Sequence, residues 1–165
     1  MDNISLHANE IISRDLEKYG NMILRLSYSY MKNIHDSEDI LQDVLVQLIR
    51  QENEFNDEEH KKAWILCVTR NLCINKLKSS WFKHRETLID MPYYDNYSSN
   101  NSHVLEAVMK LPLKYREVIH LFYYEDYSTA KIAEVIQKKE STVRSLLHRA
   151  RSILKKTLKE EYEFE

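Results

Sequence analysis

Residues 127–156 read YSTAKIAEVIQKKESTVRSLLHRARSILKK, two short amphipathic helices joined by a tight turn, the second strongly basic. Ser128 suits the start of the first helix, because its hydroxyl can accept from an orphan amide of the first turn. That helix should bury Ile132, Ala133 and Ile136, and the small Ala133 allows close approach of the next helix. A polar turn over Gln137 to Glu140 leads to Ser141 or Thr142 as the second cap. Val143, Leu146, Leu147, Ala150 and Leu154 then recur at helical spacing and commit one face to a core. The opposite face carries Arg144, Ser145, His148, Arg149 and Arg151, which project together toward one partner surface. This is a helix-turn-helix pattern. Its basic face fits the DNA major groove, where Arg bonds guanine edges bidentately and other basic groups neutralise phosphates.

The 165 residues contain one Gly and two Pro, little material for tight hairpins, so an all-α architecture is predicted. Charged residues make up 30% and the mean hydropathy is -0.57, which describes a soluble protein. No apolar run is long enough to span a bilayer and no signal peptide is recognisable, so a cytoplasmic location is expected. Cys67 and Cys73 fall on different faces of one predicted helix, a spacing that suits neither a disulfide nor a zinc knuckle. Both read as packing residues.

The net charge of -2 conceals a strong segregation. From Asp36 to Glu59 nine acids face Arg50 alone; from Lys61 to Arg85 there are seven basic residues and no acid; from Lys138 to Lys159 eight basic residues face only Glu140. Two basic blocks and one acidic helix suggest two nucleic-acid contacts and one protein contact.

Ile12, Leu16, Tyr19, Ile23, Leu26 and Tyr30 alternate steps of four and three, predicting a long first helix interrupted only at Gly20. A second helix should begin near Asp36 or Ser37, with Asp36 as cap and Ile40, Leu41, Val44, Leu45 and Leu48 as its apolar stripe. After an acidic loop from Asn53 to Asp57, a third helix is predicted from about Glu58 to Ser80. It should bury some of Ala63, Ile65, Leu66, Val68, Leu72 and Ile74, and Trp81 and Phe82 should close it. Periodicity vanishes between His84 and Ser102, where YYDNYSSNN follows Pro92. This reads as a flexible linker, hence two small helical domains: residues 8–83, a linker over 84–102, and 103–160 containing the helix-turn-helix. The second domain opens with Val104 to Lys110, breaks at Pro112 as a first helical position, and continues through Val118, Ile119 and Phe122.

Four segments in this order, HDSEDILQDVLVQLI at 35–49, AWILCVTRNLCINKLKSS at 63–80, LPLKYREVIHLFYYEDYS at 111–128 and STVRSLLHRARSIL at 141–154, resemble the extracytoplasmic-function (ECF, group 4) sigma factors of bacterial RNA polymerase. The resemblance covers nearly the whole chain. It implies a region-two domain that binds core polymerase and the promoter's minus-ten element, and a region-four domain that binds the minus-thirty-five element.

By this resemblance the helix from Ser37 to Ile49 docks on the clamp of the polymerase's largest subunit. Its Asp39, Gln42 and Asp43 form a polar stripe suited to charge-assisted bonds with Arg or Lys of a partner. The third helix would open and read the minus-ten motif. Asn71, Asn75 and Lys78 share a face with Trp64, which is read as core rather than stacking platform, and Phe55 and Asn56 would help form a pocket for a flipped base. Arg144, Ser145, His148 and Arg149 match the family's minus-thirty-five contacts. The chain departs from the family pattern at Gln137, where Gly is frequent, at Lys138 and Leu146, and at Lys131, where a capping-box Glu is common. A left-handed turn is harder for Gln, so a longer or shifted turn is expected. Family members are commonly held by an anti-sigma factor, often membrane-tethered, so such a partner and sequestration at the inner face of the membrane are implied.

A catalytic reading finds only Glu117 and His120 at E-x-x-H spacing, with Asp57 and His60 as a partial echo; di-metal helical bundles need further ligands. Glu117 is expected at the surface and His120 partly buried, and neither a metal, a cofactor nor an enzymatic activity is predicted. The competing reading is a stand-alone helix-turn-helix regulator that binds duplex operator DNA as a dimer. It leaves the acidic second helix and the Asn-bearing third helix without roles.

Overall fold

The computed structural model describes residues 2–51, 54–79 and 102–163. All regular structure in them is helical, in two separate units. Residues 84–101 of the expected linker, with Trp81 and Phe82, lie outside the described residues, and Ser102 already begins a helix.

In the N-terminal unit α1 (Asp2–Met31), α2 (Ile34–Arg50) and α3 (Glu58–Lys78) pack pairwise into a three-helix bundle. The predicted stripe of α1 supplies Tyr19, Ile23, Leu26 and Tyr30 to the core, against Ile40 and Val44 of α2 and Ile65, Leu66 and Cys73 of α3. Gly20 does not interrupt α1. At the N-terminal end of the stripe Leu16 is 42% exposed, because Asp15 takes the inward position there and ion-pairs with Lys61 at 2.8 Å. The α2 boundary also differs from expectation: the cap is Asn33, whose side-chain oxygen accepts from the Asp36 amide at 3.0 Å. Asn caps as well as Asp, and taking Asn33 leaves Asp36 inside the first turn, where it is buried.

In the C-terminal unit α7 (Glu140–Glu163) packs on α4 (Ser102–Lys110), α5 (Leu113–Tyr123) and α6 (Thr129–Ile136). Pro112 precedes α5 as its N-cap instead of occupying the first helical position, and its carbonyl accepts from Tyr115 and Arg116. Arg116 is buried and donates to the carbonyls of Leu111, at 2.8 Å, and Met109, satisfying orphan acceptors at the end of α4. Val118, Ile119 and Leu121 are buried, whereas Phe122 is only half-buried. No helix among the described residues is long and apolar enough to cross a membrane.

Candidate functional site

The helix-turn-helix is built from caps and one strained residue. Ser128 Oγ accepts from the Lys131 amide at 3.2 Å, as its position predicts. At the other end of α6, Gln137 adopts φ 55° and ψ 49°, and the amides of Gln137 and Lys138 both donate to Ala133 O. This is the Schellman arrangement that usually takes Gly. Gln therefore enters the left-handed region after all, at about 1–2 kcal/mol, and the turn is not lengthened. It narrows to Gln137, Lys138 and Lys139, because α7 starts at Glu140, and neither Ser141 nor Thr142 is its cap. Glu140 suits that position: a carboxylate in the first turn meets the positive end of the helix dipole, and its Oε1 accepts from Thr129 Oγ1 at 2.7 Å.

On α7, Val143, Leu146, Leu147 and Ala150 are buried, Leu154 is half-buried, and Arg144, Ser145, His148, Arg149 and Arg151 are all exposed. Ala133 is half-buried, and Val135 joins Ile132 and Ile136 in the core; the i, i+3, i+4 spacing of these three was the available signal. Two of the exposed arginines have partners: Arg144 reaches Glu140 at 3.3 Å, and Arg151 Nε donates to Tyr123 Oη at 2.8 Å.

The start of α3 is fixed from several sides. Asp57 caps it by accepting from the His60 amide at 2.7 Å, which accounts for the Asp57–His60 spacing without a metal. Glu58 accepts from Lys18 and from the Tyr19 hydroxyl of α1. Those hydrogen bonds, Lys18's first, hold the Glu58 carboxyl below its usual range, while burial, followed by the Glu58 bond, pushes the Tyr19 phenol up. On this platform the Asn56 amide donates to His60 Nδ1 at 3.2 Å, and the Phe55 ring meets His60 and Trp64 edge-on, each at 5.5 Å. Phe55 and half-buried Trp64 are thus brought together, and Phe55 also lines an open groove of about 1000 Å³ with Ile11, Arg14, Leu48 and Lys61. Asn71, Asn75 and Lys78 are exposed farther along α3, starting about 10 Å beyond Trp64 at 1.5 Å per residue.

Asp39, Gln42 and Asp43 are exposed along α2. Asp39 is not wholly free for a partner: Lys76 of α3 lies 3.3 Å from its Oδ2 and 3.2 Å from Oδ1 of buried Asp36. This bridge between the acidic and the basic helix joins residues far apart in sequence, and no local pattern signals it.

Glu117 does not sit at the surface. It and His120 are both 4% exposed within the C-terminal unit, where His120 stacks on Tyr124 and lies 3.6 Å from buried Glu125. The expectation of an outward Glu fails because α5 is enclosed over most of its circumference. No cluster of three or more potential metal ligands occurs among the described residues.

Comparison with known proteins then decides the family. Models described as Sigma-70 region 2 and Sigma-70, region 4 match residues 16–83 and 103–154. The RNA polymerase sigma factor SigV of Bacillus subtilis is 30% identical over 142 residues, covering 83% of this chain and 84% of that protein. The chain belongs to the ECF sigma factors of bacterial RNA polymerase. Another relative, the ECF sigma factor SigW of Bacillus subtilis, is 26% identical over 160 residues, covering 86% of each chain. Among solved structures, the sigma factor RpoE, co-crystallised with the anti-sigma factor NepR from Bartonella quintana, shares the fold. The TM-score is 0.73 at 20% identity, over 89% of this chain and 96% of that one. This sigma factor directs promoter-specific initiation of transcription, and the stand-alone regulator reading is not favoured. Sigma factors are regulatory proteins and not enzymes.

Proposed function

We propose that this sigma factor divides its work between two domains, residues 8–83 and 103–160. The first docks on the clamp of the polymerase's largest subunit through Asp39, Gln42 and Asp43 of α2. It captures the melted minus-ten strand with Asn71, Asn75 and Lys78 of α3 and takes a flipped base near Phe55 and Asn56. The second reads the duplex minus-thirty-five element with Arg144, Ser145, His148 and Arg149. The observation that carries this reading is the two-sided character of α7: its apolar side is buried in the unit while those four residues are exposed on the other, the arrangement a groove-reading helix needs. Phe55 and Asn56, folded over the start of α3, support a base pocket in the same way.

The protein acts in the cytoplasm, belongs to group 4 of its family, and catalyses no reaction itself. RpoE was crystallised with an anti-sigma factor, and a protein of that class is the expected regulator here, able to hold the sigma factor at the inner face of the membrane. In vitro transcription with purified core polymerase on a library of promoter fragments tests the reading. Discrete new start sites preceded by two shared motifs are expected; silence, with duplex binding by the protein alone, would favour a stand-alone regulator.

A further inference from the structure

The four contacts assigned to the minus-thirty-five element include neither Arg151, on the same exposed face of α7, nor its neighbour Tyr123. Tyr123 is 53% exposed, a large aromatic at the end of α5 that contributes little to the core. Its hydroxyl instead accepts from Arg151 Nε at 2.8 Å. The guanidinium carbon lies 5.1 Å from the centre of the Phe122 ring and 5.6 Å from that of Tyr123. The two rings meet edge-to-face at 5.0 Å and form a seat for the cation. Arg151 is thereby held through one nitrogen and two ring contacts, and no acceptor among the described residues takes its two terminal amino groups. A planar fork fixed at its inner end and open at its outer end suits two oxygens of one anion, and its ordering cost is met before the ligand arrives.

The position on α7 says which anion. Arg151 follows Arg144 by two turns on the same stripe, with His148 between them and Lys155 beyond, all exposed. A recognition helix places its N-terminal residues on base edges. Two turns later, about 10 Å along the axis, the same stripe leaves the groove beside its phosphate wall. Between Ser141 and Lys159 there are six Lys and Arg and no acid, a run that suits a polyanion better than a single partner carboxylate.

We propose that Tyr123 and Arg151 form a pre-set clamp for a DNA backbone phosphate at the edge of the groove occupied by α7, with Arg151 making the contact and Tyr123 positioning it. The proposal rests on the groove reading of α7 given above. The probe is a fluorescein-labelled duplex about three helical turns long and of arbitrary sequence, since a phosphate contact carries no sequence requirement. It is titrated with the full-length chain by anisotropy over a series of salt concentrations. Arg151→Ala should weaken binding several-fold and reduce the slope of log affinity against log salt by about 0.9, one phosphate's worth of released counterions. Tyr123→Phe, which keeps the ring and the charge, should leave the slope intact, weaken binding two- to five-fold, and add nothing in the Arg151→Ala background. Arg151→Lys, the variant to use if the alanine protein does not fold, should keep the slope and abolish the effect of Tyr123→Phe. An unchanged slope in Arg151→Ala, or an equal effect of Tyr123→Phe with and without Arg151, overturns the clamp. If Arg149→Ala weakens binding while Arg151→Ala does not, only the clamp falls. If the parent chain has no affinity for duplex at the lowest salt, the titration is repeated with the reconstituted holoenzyme, and absence of duplex binding there overturns the groove reading and the clamp with it.

Discussion

Thr129 Oγ1 donates to Glu140 Oε1 at 2.7 Å, joining the first turn of α6 to the first residue of α7 across the helix-turn-helix. The bond is part-buried and its acceptor is charged, a class worth about 1.5–3 kcal/mol when fully enclosed and less here. Glu140→Ala also removes a favourable charge from the α7 N-terminus. It should destabilise the C-terminal unit by about 1–2 kcal/mol, read as a lower urea midpoint. Thr129→Val should reproduce most of the loss.

Gln137→Gly should act in the opposite direction. The residue sits at φ 55° with its amide and that of Lys138 bonded to Ala133 O, so glycine keeps both bonds and relieves the strain. The greater freedom of an unfolded Gly chain offsets part of the gain. A net stabilisation of about 0.5–1 kcal/mol is expected, visible as a higher melting temperature. No change, or a fall, would mean that the Gln137 side chain contributes contacts that outweigh its backbone cost.

Gln137 is one of several residues that show how far the sequence could be read. Helix periodicity located α1, α2, α3, α6 and α7, since each carries an apolar face with helical spacing, and Ser128 was legible as a cap because the residues it serves are adjacent. What stayed hidden depends on partners distant in the chain. Asp36 looked like a cap until Lys76 accounted for its burial, and Arg151 looked like one more groove residue until Tyr123 took its Nε. Glu117 looked exposed because helical spacing alone does not say how completely neighbouring helices enclose α5. Gln137 was expected to resist a left-handed turn, and the local propensity was outweighed by the packing of α6 and α7 on either side.

The two cysteines should differ sharply in reactivity. Burial pushes the Cys73 thiol up to about 12, with Ser27 and Lys76 only partly offsetting it, whereas Cys67 is half-buried. At pH 8 a thiol reagent should modify Cys67 first and reach Cys73 only on unfolding, because the thiolate is the nucleophile. A pKa raised in the folded state means that the native protein holds a proton the unfolded chain has released. Its stabilising effect is therefore complete below the ordinary thiol value of 9.0 and lost as pH rises from there toward about 12. Cys73→Ser should flatten that part of the alkaline unfolding profile.

Within the proposed minus-thirty-five surface, Arg144→Ala and Arg149→Ala should each reduce discrimination between the correct and a mismatched promoter by about 1–3 kcal/mol, if each makes a bidentate base contact. Arg144 first has to leave Glu140, 3.3 Å away. That pair is exposed and worth little, so the competition should be slight. Transcription from promoter variants by reconstituted holoenzyme measures the effect, and unchanged selectivity in either mutant removes that residue from the readout.

Asp36 and Asp39 share one cation and should respond to mutation in different ways. Lys76 lies 3.2 Å from Asp36, whose side chain is 7% exposed, and 3.3 Å from Asp39, whose side chain is 63% exposed. Asp36→Ala leaves a partly buried ammonium with only its exposed partner and should cost about 1–3 kcal/mol of stability. Asp39→Arg removes a solvent-screened pair and should change stability by no more than about 0.5–1 kcal/mol, yet it reverses the charge proposed to meet a basic polymerase surface. Core-polymerase association, followed by fluorescence with labelled sigma factor, should therefore be lost in Asp39→Arg while its urea midpoint stays close to that of the parent. Retained association in a folded Asp39→Arg protein would move the docking surface away from this face of α2.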